Sequence, residues 1–240
     1  MATLRGRDTM KIIWLGHGST RIEIADQVIL IDPWLTGNPM MEGQDTEAAI
    51  AGATQILITH GHFDHVTDIV EISKKTGAPV SGMVELVGML ADEGAHGGHA
   101  FNKGGTIPLD DSVRATMVPA SHSNSRTIDG KSHFAGTECG FMIQGEGHTI
   151  YASGDTAIMA DMAWMGAYFK PDIGILSAGG YYTMDMAQAA WAAKEYFDFK
   201  TLIPVHYRTF PALEQSAEVL AHGLPGVNVI EPQVLEPITL

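Results

Sequence analysis

The sequence predicts an α+β protein in which β-sheets are covered on their outer faces by α-helices, within one domain over residues 1–240. Three observations carry this. Short β-type runs come first as a meander. Strand-like and helix-like segments then alternate to the end of the chain. Apolar residues make up 45% of the 240 positions, enough for a substantial core. No long linker, low-complexity tract or tandem repeat breaks the pattern, and residues 1–9 read as a disordered leader without the apolar stretch of a secretory signal.

The elements follow in order. KIIWL (11–15), TRIEIA (20–25) and VILI (28–31) are β-type runs divided by Gly-His-Gly and Asp-Gln turn signals. ATQILIT (53–59) has no polar alternation across its centre and reads as a strand buried on both faces. DIVEISKKTG (68–77) has helical spacing and a Gly stop, APVSG (78–82) returns to strand, and VELVGMLADEG (84–94) to helix. VRATMVPA (113–120), ECGFMIQG (138–145) and HTIYAS (148–153) are strands, followed by a helix over 157–169. DIGILSA (172–178) is a strand, and AQAAWAAKEYF (187–197) is the strongest helix by propensity. TLIPVH (201–206) is a strand, and PALEQSAEVLAHG (211–223) reads as a helix opened by Pro and closed by Gly. Trp164 and Trp191 fall on apolar helical stripes and are assigned to the core.

Composition narrows the function. Lys plus Arg total 14 against 28 Asp plus Glu, a net charge of −14, which disfavours a nucleic-acid partner because phosphate contacts need clustered cations. Cys139 is the only cysteine, which excludes an intrachain disulfide and a Cys-rich metal site and points to a reducing, cytoplasmic compartment. No apolar stretch approaches the roughly 18 residues of a membrane-spanning helix. The low charge content, 18%, leaves room for a homo-oligomer.

The chemical signal is THGHFDH (59–65), which places His60, His62, Asp64 and His65 directly after a buried strand and before a helix. Two His at i and i+2 in a loop can aim both rings at one point, and Asp64 and His65 can aim at a second point nearby. Imidazole and carboxylate are zinc-type ligands. A helix cap with bystander histidines explains Asp64 alone, not three His and an Asp in six positions. Three more residues end apolar strands, where loops carry function: His122 after RATMVPAS, Asp155 after HTIYASG and His206 after TLIPV. Each alone has an ordinary explanation as a loop residue, a helix cap or a buried ring; the shared position at strand ends joins them to THGHFDH.

This order, H-x-H-x-D-H followed by a distant His, a distant Asp and a final His, resembles the metallo-β-lactamase superfamily over about residues 10 to 240. The strings WLGHGST (14–20), VILIDPWLTGNP (28–39), NKGGT (102–106), YASGDT (151–156), GGYYTMD (179–185) and IPVHYRTFP (203–211) sharpen the resemblance to its UPF0173-type metal-dependent hydrolase branch, related to ascorbate-6-phosphate lactonase. The flank SHSNS around His122 departs from the usual HSS and leaves the ligand intact.

The resemblance implies a four-layer αββα sandwich with the metal site at one edge. It implies two divalent ions, foremost Zn²⁺, with Mn²⁺ or Fe²⁺ accepting the same set. His60, His62 and His122 would hold the first ion, Asp64, His65 and His206 the second, and Asp155 would bridge them. A hydroxide shared by the ions would cleave a small ester, lactone or phosphodiester. Alternatives within the superfamily are a nuclease and an iron-dependent oxygenase or redox protein. Asp64 and His17 are the candidate catalytic groups, His17 as a proton donor or a support for the ligands. Asp32, in LIDPW, is expected to support the ligand loop. Arg208, Tyr207, Tyr181 and Lys103 are the candidate substrate-binding residues, with Arg208 suited to an anionic group. Cys139 is assigned to the core.

Overall fold

The computed structural model describes residues 9–240, so the expected leader lies outside the described residues but for Thr9. In chain order the strands are β1 (Lys11–Trp14), β2 (Thr20–Ile24), β3 (Gln27–Ile31), β4 (Gln55–Ile58), β5 (Val80–Met83), β6 (Gly97–Phe101), β7 (Thr106–Pro108), β8 (Arg114–Pro119), β9 (Ser125–Ile128), β10 (Lys131–Phe134), β11 (Cys139–Gly145), β12 (His148–Ala152), β13 (Ile173–Ser177), β14 (Thr201–Val205), β15 (Asn228–Val229) and β16 (Pro237–Thr239). The α-helices are α1 (Thr46–Ile50), α2 (Phe63–Val66), α3 (Ile69–Thr76), α4 (Val84–Asp92), α5 (Asp161–Phe169), α6 (Met186–Tyr196) and α7 (Glu218–Gly223).

The strands form two seven-stranded sheets, ordered β16-β1-β2-β3-β4-β5-β6 and β15-β14-β13-β12-β11-β8-β7, while β9 and β10 pair as a separate hairpin. One buried apolar cluster draws on both sheets. It includes β3, β13 and β14, which are buried at every position. Strands covered on both faces carry no polar alternation, which is why VILI and DIGILSA read as continuous apolar runs. Helices α3 and α4 flank the first sheet, and α5, α6 and α7 the second, giving the metallo-β-lactamase layering of two mixed sheets between helices.

Topology positions the site. In each sheet an antiparallel meander of three strands (β1-β2-β3; β8-β11-β12) leads into parallel strands. Strands β1, β3 and β4 therefore end on one edge, and β8, β12, β13 and β14 end together on one edge of the other sheet. Backbone hydrogen bonds join the two edges: Cys139 N donates to Thr59 O at 3.1 Å, and His206 N donates to His17 O at 2.8 Å.

The structure corrects several sequence expectations. The helix expected over 211–223 is helical only as α7; before it, Glu214 N donates to Gly179 O and Arg208 N donates to Glu214 O, so tertiary pairing takes the backbone groups that a helix would use. The helix expected over 157–169 begins only at Asp161, and the segment before it is tied to the loop after β8 by the hydrogen bond from Ala157 N to Ser121 O. Trp164 and Trp191 are 43% and 51% exposed and lie on the outer faces of α5 and α6, not in the core. No helix among the described residues is long and apolar enough to cross a membrane.

Candidate metal centre

Strand ends deliver the site residues one by one. Buried β4 runs into the loop carrying His60 and His62, and α2 then presents Asp64 and His65. His17 follows β1 and Asp32 follows β3; His122, Asp155 and His206 follow β8, β12 and β14. Three of them, His17, Asp32 and His206, have left-handed backbones at φ of 51°, 47° and 62°, a conformation disfavoured for side-chain-bearing residues and concentrated at functional sites. Glycines admit the close approaches. A Cβ at Gly18 would lie 2.8 Å from the His65 ring, and one at Gly179 would lie 1.8 Å from the His206 carbonyl oxygen.

The seven candidate ligands converge. The ligand atoms of His60, His62 and His122 lie within 4.8 Å of one another, as do those of Asp64, His65 and His206, the latter group joined by His17. Between the groups, Asp155 Oδ2 lies 3.1 Å from His206 Nε2, 3.5 Å from His65 Nε2, 3.7 Å from His122 Nε2 and 3.8 Å from His60 Nε2. His60 Nε2 and His62 Nδ1 face each other at 3.0 Å. His65 Nε2 is buried and has no hydrogen-bond partner.

Hydrogen bonds orient the rings. Asp32 accepts His65 Nδ1–H at 2.8 Å and both the backbone N–H and hydroxyl of Thr59, so one carboxylate fixes a candidate-ligand ring and the start of the loop that carries His60 and His62. Thr59 Oγ1 also meets His60 Nδ1 at 3.0 Å. Both contacts leave the Nε2 atoms facing Asp155, the carboxylate–histidine support found around bound metals. His17 is fully buried, with Nε2 2.8 Å from Asp64 Oδ2 and Nδ1 2.8 Å from Thr209 Oγ1.

Electrostatics divide the group. Burial lowers the pKa of His62 and His122, and lowers that of His60 well below the ordinary histidine value. Burial acts the same way on His65 and His206, but Asp155 outweighs it, with Asp32 and Asp64 adding at His65. His65 is raised well above the ordinary value and His206 to about 9. Asp155, despite burial, is held well below the usual carboxylate range by His206 and His65. Asp64 is likewise lowered against its burial, by His65 and by the hydrogen bond from His17. Burial, then His206, push His17 down to about 4, so it is neutral at pH 7, donating from Nε2 to the Asp64 carboxylate and accepting the Thr209 hydroxyl at Nδ1.

A pocket of about 480 Å³ opens over the cluster, with His62, Asp64, His122, Asp155 and His206 in its floor. The candidate substrate-binding residues lie elsewhere. Arg208 points toward Glu231, 3.7 Å away, and over the Trp14 ring, because its left-handed backbone (φ 65°) turns the chain. Tyr207 is buried and stacks on Trp14 at 5.4 Å between ring centroids. Tyr181 is 78% exposed and packs edge-on against Tyr182, which does line the pocket. Lys103 is half-buried and does not line the pocket. The walls that sequence reasoning missed are Phe63, Phe210 and the β9–β10 hairpin. Phe63 and Phe210 sit inside THGHFDH and IPVHYRTFP, so an aromatic beside a ligand was the available signal.

Fold and site together are those of a β-lactamase superfamily domain: the family model of that description matches residues 27–207. YhfI of Bacillus subtilis, a metallo-beta-lactamase fold protein, shares the fold with a TM-score of 0.72 at 14% identity, covering 97% of this chain and 100% of that one. At closer range, the chain is 60% identical over 231 residues to a UPF0173 metal-dependent hydrolase of Cereibacter sphaeroides, covering 96% of this chain and 100% of that protein. Igni18, a metallo hydrolase of Ignicoccus hospitalis, matches with a TM-score of 0.81 at 32% identity over 97% of this chain and 98% of that one. The chain belongs to the UPF0173 metal-dependent hydrolase family of the metallo-β-lactamase superfamily.

Proposed function

We propose that this chain hydrolyses a small ester, lactone or phosphodiester at a centre of two divalent metal ions. His60, His62 and His122 would hold one ion and Asp64, His65 and His206 the other, with the Asp155 carboxylate placed between the two groups. The observation that carries the reading is the place of Asp155 Oδ2, within 3.1–3.8 Å of four imidazole nitrogens drawn from both groups. The donor set fits such ions: imidazole and carboxylate atoms, with the buried His65 Nε2 aimed into the cluster without a hydrogen-bond partner. Zn²⁺ is the first candidate, and Mn²⁺ or Fe²⁺ accept the same atoms.

When bound, two such ions supply Lewis acidity and a water that loses its proton near neutral pH. The chain's own residues do the rest. Asp32 and Thr59 fix the His65 and His60 rings, so their Nε2 atoms hold position without rotating. His17 holds Asp64 through Nε2 and keeps that proton on the hydrogen bond, which makes it a positioning residue more than a proton donor to a leaving group. Aromatic walls over the floor limit water around the reacting group. The substrate is a small molecule, and the single buried Cys139 suits a cytoplasmic setting.

The test is hydrolysis of a panel of lactones, esters and phosphodiesters by metal-loaded protein, with Asp155→Ala as the control. Turnover by the parent protein and none by the variant is the expected result. Equal turnover by both would place the chemistry elsewhere.

A further inference from the structure

We propose that the pocket takes an uncharged ester or lactone bearing an apolar group, seated on Phe63 and Phe210, and that phosphodiesters are poor substrates. This rests on the hydrolase reading above and narrows it.

The aromatic wall is built, not incidental. Phe63 is 63% exposed although it is a large apolar ring, and it stands on α2 between His62 and Asp64. Behind it, buried Trp34 meets Phe63 edge-on at 5.6 Å and Phe210 at 6.3 Å, and is itself anchored by donation from Nε1 to Thr36 O at 2.9 Å. Tyr182 adds a third ring to the lining. A rigid, exposed aromatic surface beside a reactive floor marks where the apolar part of a ligand is removed from water.

The facing wall is neutral. The β9–β10 hairpin contributes Ser125 and Thr127, whose hydroxyls can bond a carbonyl or ether oxygen. Among the described residues no Lys or Arg lines the pocket. The two arginines nearest in sequence are paired outward, Arg126 with Glu93 and Arg208 with Glu231. Metal ions attract either head group, so the walls decide what lies beyond it. A phosphodiester keeps a negative charge that fork-like guanidinium donors would stabilise beside the metal ions, and these neutral and aromatic walls supply no such donor. The net charge of −14 adds repulsion for any polyanion. The reaction is then acyl hydrolysis. Water's oxygen bonds to the acyl carbon and the acyl carbon–alkoxy oxygen bond breaks. One water proton ends on the alkoxy oxygen, and the other is released as the new acid ionises.

Calorimetry on metal-loaded protein tests the wall, using benzohydroxamate and acetohydroxamate, which share a metal-binding head and differ in the apolar group. Benzohydroxamate should bind about tenfold tighter or more; the gap should close in Phe63→Ala and in Phe210→Ala and largely return in Phe63→Leu. Metal content equal to the parent's establishes that each variant is folded. Equal binding of the two ligands by the parent protein would overturn the inference and leave the metal centre intact. Binding of neither would overturn the metal-centre reading itself. On the charge, kcat/KM for 4-nitrophenyl butyrate, divided by its uncatalysed hydrolysis rate, should exceed the same quotient for bis(4-nitrophenyl) phosphate by about tenfold or more. The reverse order would overturn the substrate class while keeping the hydrolase.

Discussion

The two sheets repeat one topology and use it differently. In each, a three-stranded antiparallel meander leads into parallel strands. The first strand of each meander is followed three residues later by a histidine, His17 after β1 and His122 after β8, and the third is followed by an aspartate, Asp32 after β3 and Asp155 after β12. In the second sheet this pair lies at the centre of the cluster, with Asp155 Oδ2 against four imidazoles. In the first sheet the equivalent pair stands one layer back, Asp32 holding His65 and His17 holding Asp64. The first sheet instead brings its four candidate ligands on the loop after β4 and the helix α2 that follows it. Equivalent positions in a repeated fold thus take candidate-ligand places in one half and hold candidate ligands from behind in the other.

Substitutions can break or sharpen this contrast. The largest effect is expected at Asp155. Asp155→Ala removes the carboxylate between both groups, and activity should fall by about a thousandfold or more, equivalent to about 4 kcal/mol, with metal content falling in parallel. Its counterpart should behave as a support. Asp32→Asn keeps the shape but cannot accept the His65 N–H in the same way, and metal affinity should fall by about 10–100-fold, with activity largely restored at saturating metal. Metal titrations monitored by activity separate the two outcomes; equal and irreversible loss at both positions would erase the distinction between the halves.

Proton release is the next expected effect. In the metal-free protein His206, raised to about 9, is protonated at pH 7.5, and His65 is shifted in the same direction. Metal ligands must be deprotonated, so binding displaces those protons and apparent affinity rises with pH up to about 9. Calorimetry in buffers of different ionisation heat measures the release; heats independent of buffer would contradict it. The smallest effect is expected at Thr209→Val, which removes the hydroxyl donor to His17 Nδ1. Stability should fall by about 1 kcal/mol in chemical denaturation, with activity within a few-fold of the parent.

The contrast between the halves also explains what was legible in the sequence. THGHFDH is local, so His60, His62, Asp64 and His65 stand out by composition alone. His122, Asp155 and His206 are single residues spread over more than 80 positions; only their shared place after apolar strands marks them, and topology brings those strand ends to one edge. The buried strands were readable because burial on both faces removes alternation. The β9–β10 hairpin was not, because its sequence is polar and its outer strand fully exposed. The 211–217 segment has helical composition but gives its backbone bonds to Gly179 and Arg208. Adjacency to a ligand misled at Tyr207 and Arg208: one side chain turns inward onto Trp14, and the other turns out to Glu231.

Metal content per chain, measured by elemental mass spectrometry on protein purified without chelator or nickel resin, bears most directly on the two-group centre. Close to two divalent ions per chain, falling sharply in Asp155→Ala, is the expected result. One ion per chain, or two retained in the variant, would contradict the placement of Asp155 between two ions.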